Sequence, residues 1–174
     1  MSSGIVFAAL LAGHWVGDHW AQTDQQATGK GAHGWAGRKA CAGHVATLTL
    51  CQMAALALVA TVEGGFGALP LALGLAVNTA SHYWIDRRHT LQDLAVVLGK
   101  AGYYDRGGAP HLDQAAHMAF LLPAALIITA PTATGALVLA GVSVAVLFGL
   151  DLLARRGRTS SRQRDGIYVV LRTD

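Results

Sequence analysis

The sequence predicts an all-α, polytopic membrane helix bundle of five transmembrane helices, with the N-terminus outside and the C-terminus cytoplasmic. Three observations predict it. Only 13% of the 174 residues are charged and 53% are hydrophobic, against about 25% charged in a soluble domain, and the mean hydropathy is +0.40. Five apolar stretches each approach the roughly 20 residues that a spanning helix needs. All 13 Lys and Arg fall in three segments: between the first and second stretches, between the third and fourth, and after the fifth. The intervening loops, around 63–65 and 130–134, hold none. Five spans put every cation on one face, and the positive-inside rule makes that face cytoplasmic.

The first stretch covers about 4–20. It lacks a basic leading segment and runs straight into His14 and Asp18, so it reads as a retained helix and not a cleaved signal. The segment 23–39 is polar and Gly-rich, an irregular loop with a short helix. The second stretch is about 43–62 and the third about 66–85. Pro70 falls in the first turn of the third, where its missing N–H is tolerated. Between the third and fourth stretches, Leu91, Leu94, Ala95, Val97 and Leu98 suit a short interfacial helix. The fourth stretch is about 112–130, and Pro123 at mid-span predicts a kink or an early break. The fifth is about 134–153, and the basic sequence after it predicts a tail that meets anionic headgroups or simply marks topology. Residues 1–154 thus form one transmembrane domain and 155–174 a basic cytoplasmic tail. Cys41 and Cys51 lack CxxC spacing and sit near or in an apolar run, which argues against a structural disulfide.

The polar residues inside these stretches carry the functional signal. His14 and Asp18, His82 and Asp86, and Asp113 and His117 are three carboxylate–imidazole pairs spaced i, i+4. That spacing puts both members on one helix face. His44 begins the second stretch, and the five-span topology brings all seven residues to one depth near the cytoplasmic boundary. Ionisable groups at membrane depth are expensive, so a convergent set reads as a functional site. A single pair could be a hydrogen-bonded contact between helices; three pairs plus His44 at one level favour a site.

Neutral imidazole and anionic carboxylate together suit zinc first, with iron or manganese as alternatives. The expected ligands are His14, Asp18, His82, Asp86 and His117, with Asp113 and His44 as acid/base groups or as partners that orient the ligands. A metal here would lower the pKa of bound water and supply a nucleophile. Gln22 extends the His14–Asp18 stripe, and Asn78 precedes His82 by a turn, so both are candidates for orienting ligands or binding substrate. Ser81 lies about 100° around the helix from His82, a poor place for a nucleophile. Trp15, Trp20, Trp35 and Trp84 read as interfacial anchors, and His19, His33, His89 and His111, without partners at helical spacing, as solvent-side. No phosphate-loop pattern occurs in the Gly-rich stretches, and nothing beyond the basic tail suggests nucleic-acid binding.

In order and spacing, HWVGDHWAQTD (14–24), Lys30, His44, SHYWID (81–86) and LDQAAH (112–117) resemble a family of small bacterial membrane proteins of unknown function. Its pattern is HxxxDxxxQ, a His opening the second span, HxxxD closing the third and DQxxH in the fourth, and the resemblance covers about 8–125. It implies functional roles for His14, Asp18, Gln22, His44, His82, Asp86, Asp113, Gln114 and His117, and Gln114 joins the substrate-binding candidates. Related small membrane proteins carry the label membrane-bound metal-dependent hydrolase. The chain departs from the pattern in the Gly/Ala-rich segment between Gln22 and His44.

The expected function is therefore metal-dependent hydrolysis of a lipid-like or amphiphilic substrate at the cytoplasmic face of the bacterial inner membrane. The bilayer itself is the expected partner, and a homo-oligomer is left open. Two alternatives use the same residues: a proton- or metal-ion-coupled transporter, and a regulatory protein whose metal only staples helices.

Overall fold

A computed structural model describes residues 2–170 of the chain, with side chains described for 2–158. Among the described residues the fold is all-helical. The elements are α1 (Ser3–Val16), a π-helical turn (Gly17–Ala21), α2 (Asp24–Gly29), α3 (Gly34–Glu63), α4 (Ala68–Asp86), α5 (His89–Val97), α6 (Ala101–Tyr103), a second π turn (Tyr104–Gly108), α7 (Ala109–Ile128) and α8 (Ala133–Val170).

Local chemistry explains the boundaries. A capping box starts α2: Thr23 Oγ1 accepts from the Gln26 N–H at 3.2 Å, and Gln26 Oε1 accepts from the Thr23 N–H at 3.0 Å. Pro70 sits in the first turn of α4 and Pro110 in that of α7, where the first amides have no intrahelical acceptor. α7 runs on through Pro123 to Ile128, so the early break predicted there does not occur. Arg88 turns the chain between α4 and α5 at φ +53°, with the Thr90 hydroxyl donating to the Trp84 carbonyl.

Three helical segments are long and apolar enough to cross a membrane: Gly34–Glu63, Ala101–Ile128 and Ala133–Arg158. The side chains are sorted accordingly. Leu50, Leu58, Val62, Val138, Val142 and Phe148 are exposed, whereas His14, His44, Gln52, Asn78, His82, Asp86 and His117 are buried. A protein that turns its leucines outward and its ionisable groups inward is built for an apolar surrounding. The remaining two predicted spans correspond to α1 and α4. α1 has only 14 α-helical residues before the π turn, and α4 spends its last turns on Asn78, Ser81, His82 and Asp86.

α1, α3, α4 and α7 form the core of the bundle: α1 packs on α3 and α7, and α4 on α7 and α3. α8 lies outside this set against α4 and α7, and α5 packs on α8. Two close helix contacts hold the core. A Cβ on Gly13 would come within 2.6 Å of the Gln52 Cα, and one on Gly74 within 2.8 Å of the Ala124 carbonyl, so both positions need glycine. One end of the core is apolar, built of Val6, Leu10, Leu56, Leu121, Ala124, Ala125 and Ile128. The polar residues occupy the other end.

The 91–104 segment holds the expected short helix as α5, which packs inward: Leu91, Leu94 and Ala95 are buried, and Asp93 pairs with Arg158 of α8 at 2.9 Å. One expectation is corrected here. Helix α3 starts at Gly34, well before the apolar run, so the loop is shorter than predicted. Of the predicted tail, the backbone continues α8 to Val170. The side chains of Arg162 and Arg164, and all of Arg172, lie outside the described residues.

Candidate metal centre

Six segments deliver the site. His14 sits in the last turn of α1, and the π turn that follows carries Asp18; such turns widen the helix and re-aim a side chain. α3 contributes His44, the last turns of α4 contribute His82 and Asp86, and the first turns of α7 contribute Asp113, Gln114 and His117. α2 adds Lys30, the residue at its C-terminal cap.

All seven predicted His and Asp side chains meet in one network. His14 Nε2 donates to Gln114 Oε1 at 3.1 Å, which leaves Nδ1 to accept from His82 Nε2 at 3.0 Å. The His82 and His117 rings lie 4.0 Å apart, centroid to centroid. On the other side, Gln22 Nε2 lies 3.0 Å from His44 Nδ1, and Lys30 Nζ lies 3.3 Å from His44 Nε2. That Nε2 lies 3.0 Å from both Asp18 Oδ1 and Asp86 Oδ2. Asp86 Oδ1 lies 3.7 Å from His117 Nε2, and Asp113 Oδ2 lies 3.6 Å from the same nitrogen. His14, His44, His82, Asp86 and His117 are each at most 1% exposed, so water does not compete for them.

The donor set fits a cation. Both ring nitrogens of His117 and both carboxylate oxygens of Asp86 are buried without a hydrogen-bond partner. Lys30 Nζ and His44 Nε2 come as near as 2.8 Å and 3.0 Å to Asp86, but they are misaligned for hydrogen bonds. Buried lone pairs in that state cost free energy unless something binds them. Two trios present ligand atoms within 4.8 Å of one another: His14, His82 and His117, and Asp86, Asp113 and His117. Donors around a tetrahedral zinc stand roughly 3.4 Å apart for bonds of about 2.1 Å, so either trio needs only a small inward closure. These buried His and Asp groups can hold a metal ion, with His117 common to both trios.

Sequence reasoning passed over two residues. Lys30 is 8% exposed and makes the shortest ion pair of the cluster, 2.8 Å to Asp86. Its only sequence signal was its place within the family-like pattern. Gln52 is fully buried on α3, accepts from Asn78 Nδ2 at 2.6 Å and donates to the Leu10 carbonyl at 3.1 Å. Asn78 is thus tied to Gln52, one layer beneath the His/Asp network. Ser81 donates its hydroxyl to the Asn78 carbonyl, which fits its exclusion as a nucleophile.

Among the other residues, Trp84 is half-buried and donates from Nε1 to Asp151 at 3.0 Å, so it does more than anchor an interface. His19 does have a partner one turn away, its ring 4.8 Å from that of Trp15, while His33 and His89 meet across the fold with rings 5.1 Å apart, and His89 is half-buried and not solvent-side. Cys41 is buried and directs its thiol to the Tyr83 carbonyl.

A cavity of about 340 Å³ opens beside the network, lined by Lys30, Arg88, Leu91, Tyr104, Ala109, Pro110 and Asp113. Two of its walls, Lys30 and Asp113, are members of the polar cluster. No curated protein and no solved structure matches the chain. One family matches over residues 6–145, a span that takes in every residue of the cluster and most of the bundle. The chain belongs to that family, described as Protein of unknown function (DUF3307).

Proposed function

We propose that this is a five-span protein of the bacterial inner membrane, N-terminus outside and C-terminus cytoplasmic, that hydrolyses a lipid-like or amphiphilic substrate at a divalent-metal site. The observation that carries this reading is the cavity at Asp113 and Lys30. A metal that only staples helices is closed over by its ligands, whereas a catalytic one keeps an approach open. Here the approach is lined by Lys30 and Arg88, which suit an anionic group on the substrate, and by Tyr104.

The contacts support a role for each residue in this reading. His14, His82, His117, Asp86 and Asp18 would hold the ion, zinc first and iron or manganese as alternatives. Bound there, a divalent ion would polarise the scissile bond and lower the pKa of water. Gln114 holds one nitrogen of His14, so the ring stays oriented while its other nitrogen faces His82. His44 is fully buried between two carboxylates, which makes it a positioning residue for Asp18 and Asp86, itself set by Gln22. Asp113 stands at the cavity wall and 3.6 Å from His117, where it is placed to move protons to and from a substrate. Asn78, tied to Gln52, takes no part in substrate binding in this reading.

Hydrolysis is favoured over transport by what lies beyond the cluster. Below Gln52 and Asn78 the bundle closes with Val6, Leu10, Leu56 and Leu121, an apolar plug that offers a proton or ion no relay.

The test is metal content by elemental analysis of detergent-purified full-length protein, wild type beside His82→Ala and Asp86→Asn. The expected result is about one or two equivalents in wild type, lost in both variants, with membrane insertion unchanged. Well-folded protein that takes up no metal after reloading would remove the hydrolase reading. Asp113→Asn should keep the metal and lower hydrolysis of an amphiphilic phosphoester, ester or amide panel by about 10²–10⁴-fold. Loss of metal as well would make Asp113 a ligand.

A further inference from the structure

A second cavity, of about 650 Å³, lies apart from the His/Asp network, between the start of α3, the end of α4, the start of α5 and α8. Its wall carries Arg38, Arg87, Arg155 and Arg158 together with His33 and His89, and Asp151 is its one carboxylate. That carboxylate is already engaged by Trp84 Nε1 at 3.0 Å and Arg155 Nε at 2.7 Å. Arg87 is 7% exposed, its guanidinium spread over the Lys30 and Ala32 carbonyls at 2.9 Å and 2.6 Å. Arg158 is braced by Asp93. Burial and the Arg87 charge hold the His89 imidazole below its ordinary pKa, and its Nδ1 is buried without a partner. Against these four guanidiniums stand two engaged carboxylates, Asp151 in the wall and Asp93 on Arg158, so the cavity keeps an excess of positive charge that suits an anion.

This cavity does not end in solvent alone. It shares Ala80 and Tyr83 with a groove of about 650 Å³ between α3 and α4, whose other walls are Ala42, Val45, Ala46, Leu75, Ala76 and Thr79. Along α4 the lining changes from Leu75 and Ala76 through Thr79 and Ala80 to Tyr83, Trp84 and Arg87. From Leu75 to Arg87 that is about 18 Å at 1.5 Å per residue. The order apolar, aromatic, guanidinium is the order in which a bilayer presents acyl chain, interface and phosphate.

We propose that the joined cavity and groove form a binding site for one anionic phospholipid, its phosphate among the arginines and an acyl chain between α3 and α4. The site uses none of the metal-binding residues, so its failure and that of the hydrolase reading are separate results. Charge complementarity and the continuity of the two spaces select a lipid over a free anion.

The test is lipid binding by delipidated full-length protein in a neutral detergent, read by native mass spectrometry with phosphatidylglycerol, phosphatidylcholine and inorganic phosphate as probes. One phosphatidylglycerol should bind, at least about tenfold more tightly than phosphatidylcholine. Arg38 and Arg155 are exposed, so Arg38→Ala/Arg155→Ala should keep the fold, checked by circular dichroism, and weaken phosphatidylglycerol about tenfold or more. Lys39→Ala/Lys100→Ala removes the same charge from exposed positions outside the cavity and should leave binding unchanged. Ala46→Trp fills the groove from its exposed side, keeps every charge, and should also abolish selective retention. Equal binding of the two lipids, or equal loss in both double variants, would overturn the proposal. So would retention untouched by Ala46→Trp, or binding of inorganic phosphate in place of lipid.

Discussion

Lys30 and a divalent ion would share one carboxylate, because Lys30 Nζ already stands 2.8 Å from Asp86 Oδ1. Removing the ammonium removes a competitor and a like charge next to the ion. Lys30→Met should therefore tighten metal binding by about tenfold in a chelator-competition titration. It should also reduce turnover, since the same lysine lines the cavity proposed for the substrate. Unchanged affinity would mean that the ion does not use Asp86. The Gln52–Asn78 pair makes a different prediction. Both are at most 1% exposed, so Gln52→Leu or Asn78→Leu alone strands a buried amide and should cost about 1–3 kcal/mol in detergent unfolding. The double replacement should cost less than the sum of the two, because neither partner is then left unsatisfied.

At the scale of elements, the site depends on how closely α1 approaches α3. Gly13 allows the backbones to touch at Gln52, and the π turn then swings Asp18 to within 3.0 Å of His44. Gly13→Ala places a methyl against the Gln52 backbone, and the helices must part. We expect a loss of about 1–3 kcal/mol in thermal unfolding, with weaker metal binding because Asp18 and His14 move together. Full stability in this variant would show that α1 adjusts without separating from α3. The α4–α7 contact at Gly74 acts in the same way on His82 and Asp86 against Asp113 and His117.

At the scale of the molecule, the polar cluster and the described Lys and Arg side chains lie at one end of the bundle, and the loops around 63–65 and 130–134 at the other. Single cysteines placed at Gly65 and Thr132, in a background lacking Cys41 and Cys51, should be labelled by an impermeant reagent from outside intact cells. Cysteines at His33 and Lys100 should react only after lysis. Labelling of both sets from one side would reject the five-span topology and, with it, the cytoplasmic placement of the site.

By itself the sequence determined the helical class, the membrane character and the residues that converge, because hydropathy, charge and i, i+4 spacing are local properties. His14, Asp18, His44, His82, Asp86, Asp113 and His117 were all legible in that way. Gln22 was legible as the next turn of the His14–Asp18 stripe, and Gln114 only through motif order. Tertiary structure alone decided which of them touch. Nothing local shows that His44 bridges Asp18 and Asp86, that Lys30 reaches Asp86, or that Asn78 turns to Gln52 and not to the histidines. Those pairings join residues 26 to 56 positions apart in sequence. They are set by how near two helices come at a glycine and by one π turn that rotates a carboxylate, features that periodicity does not encode.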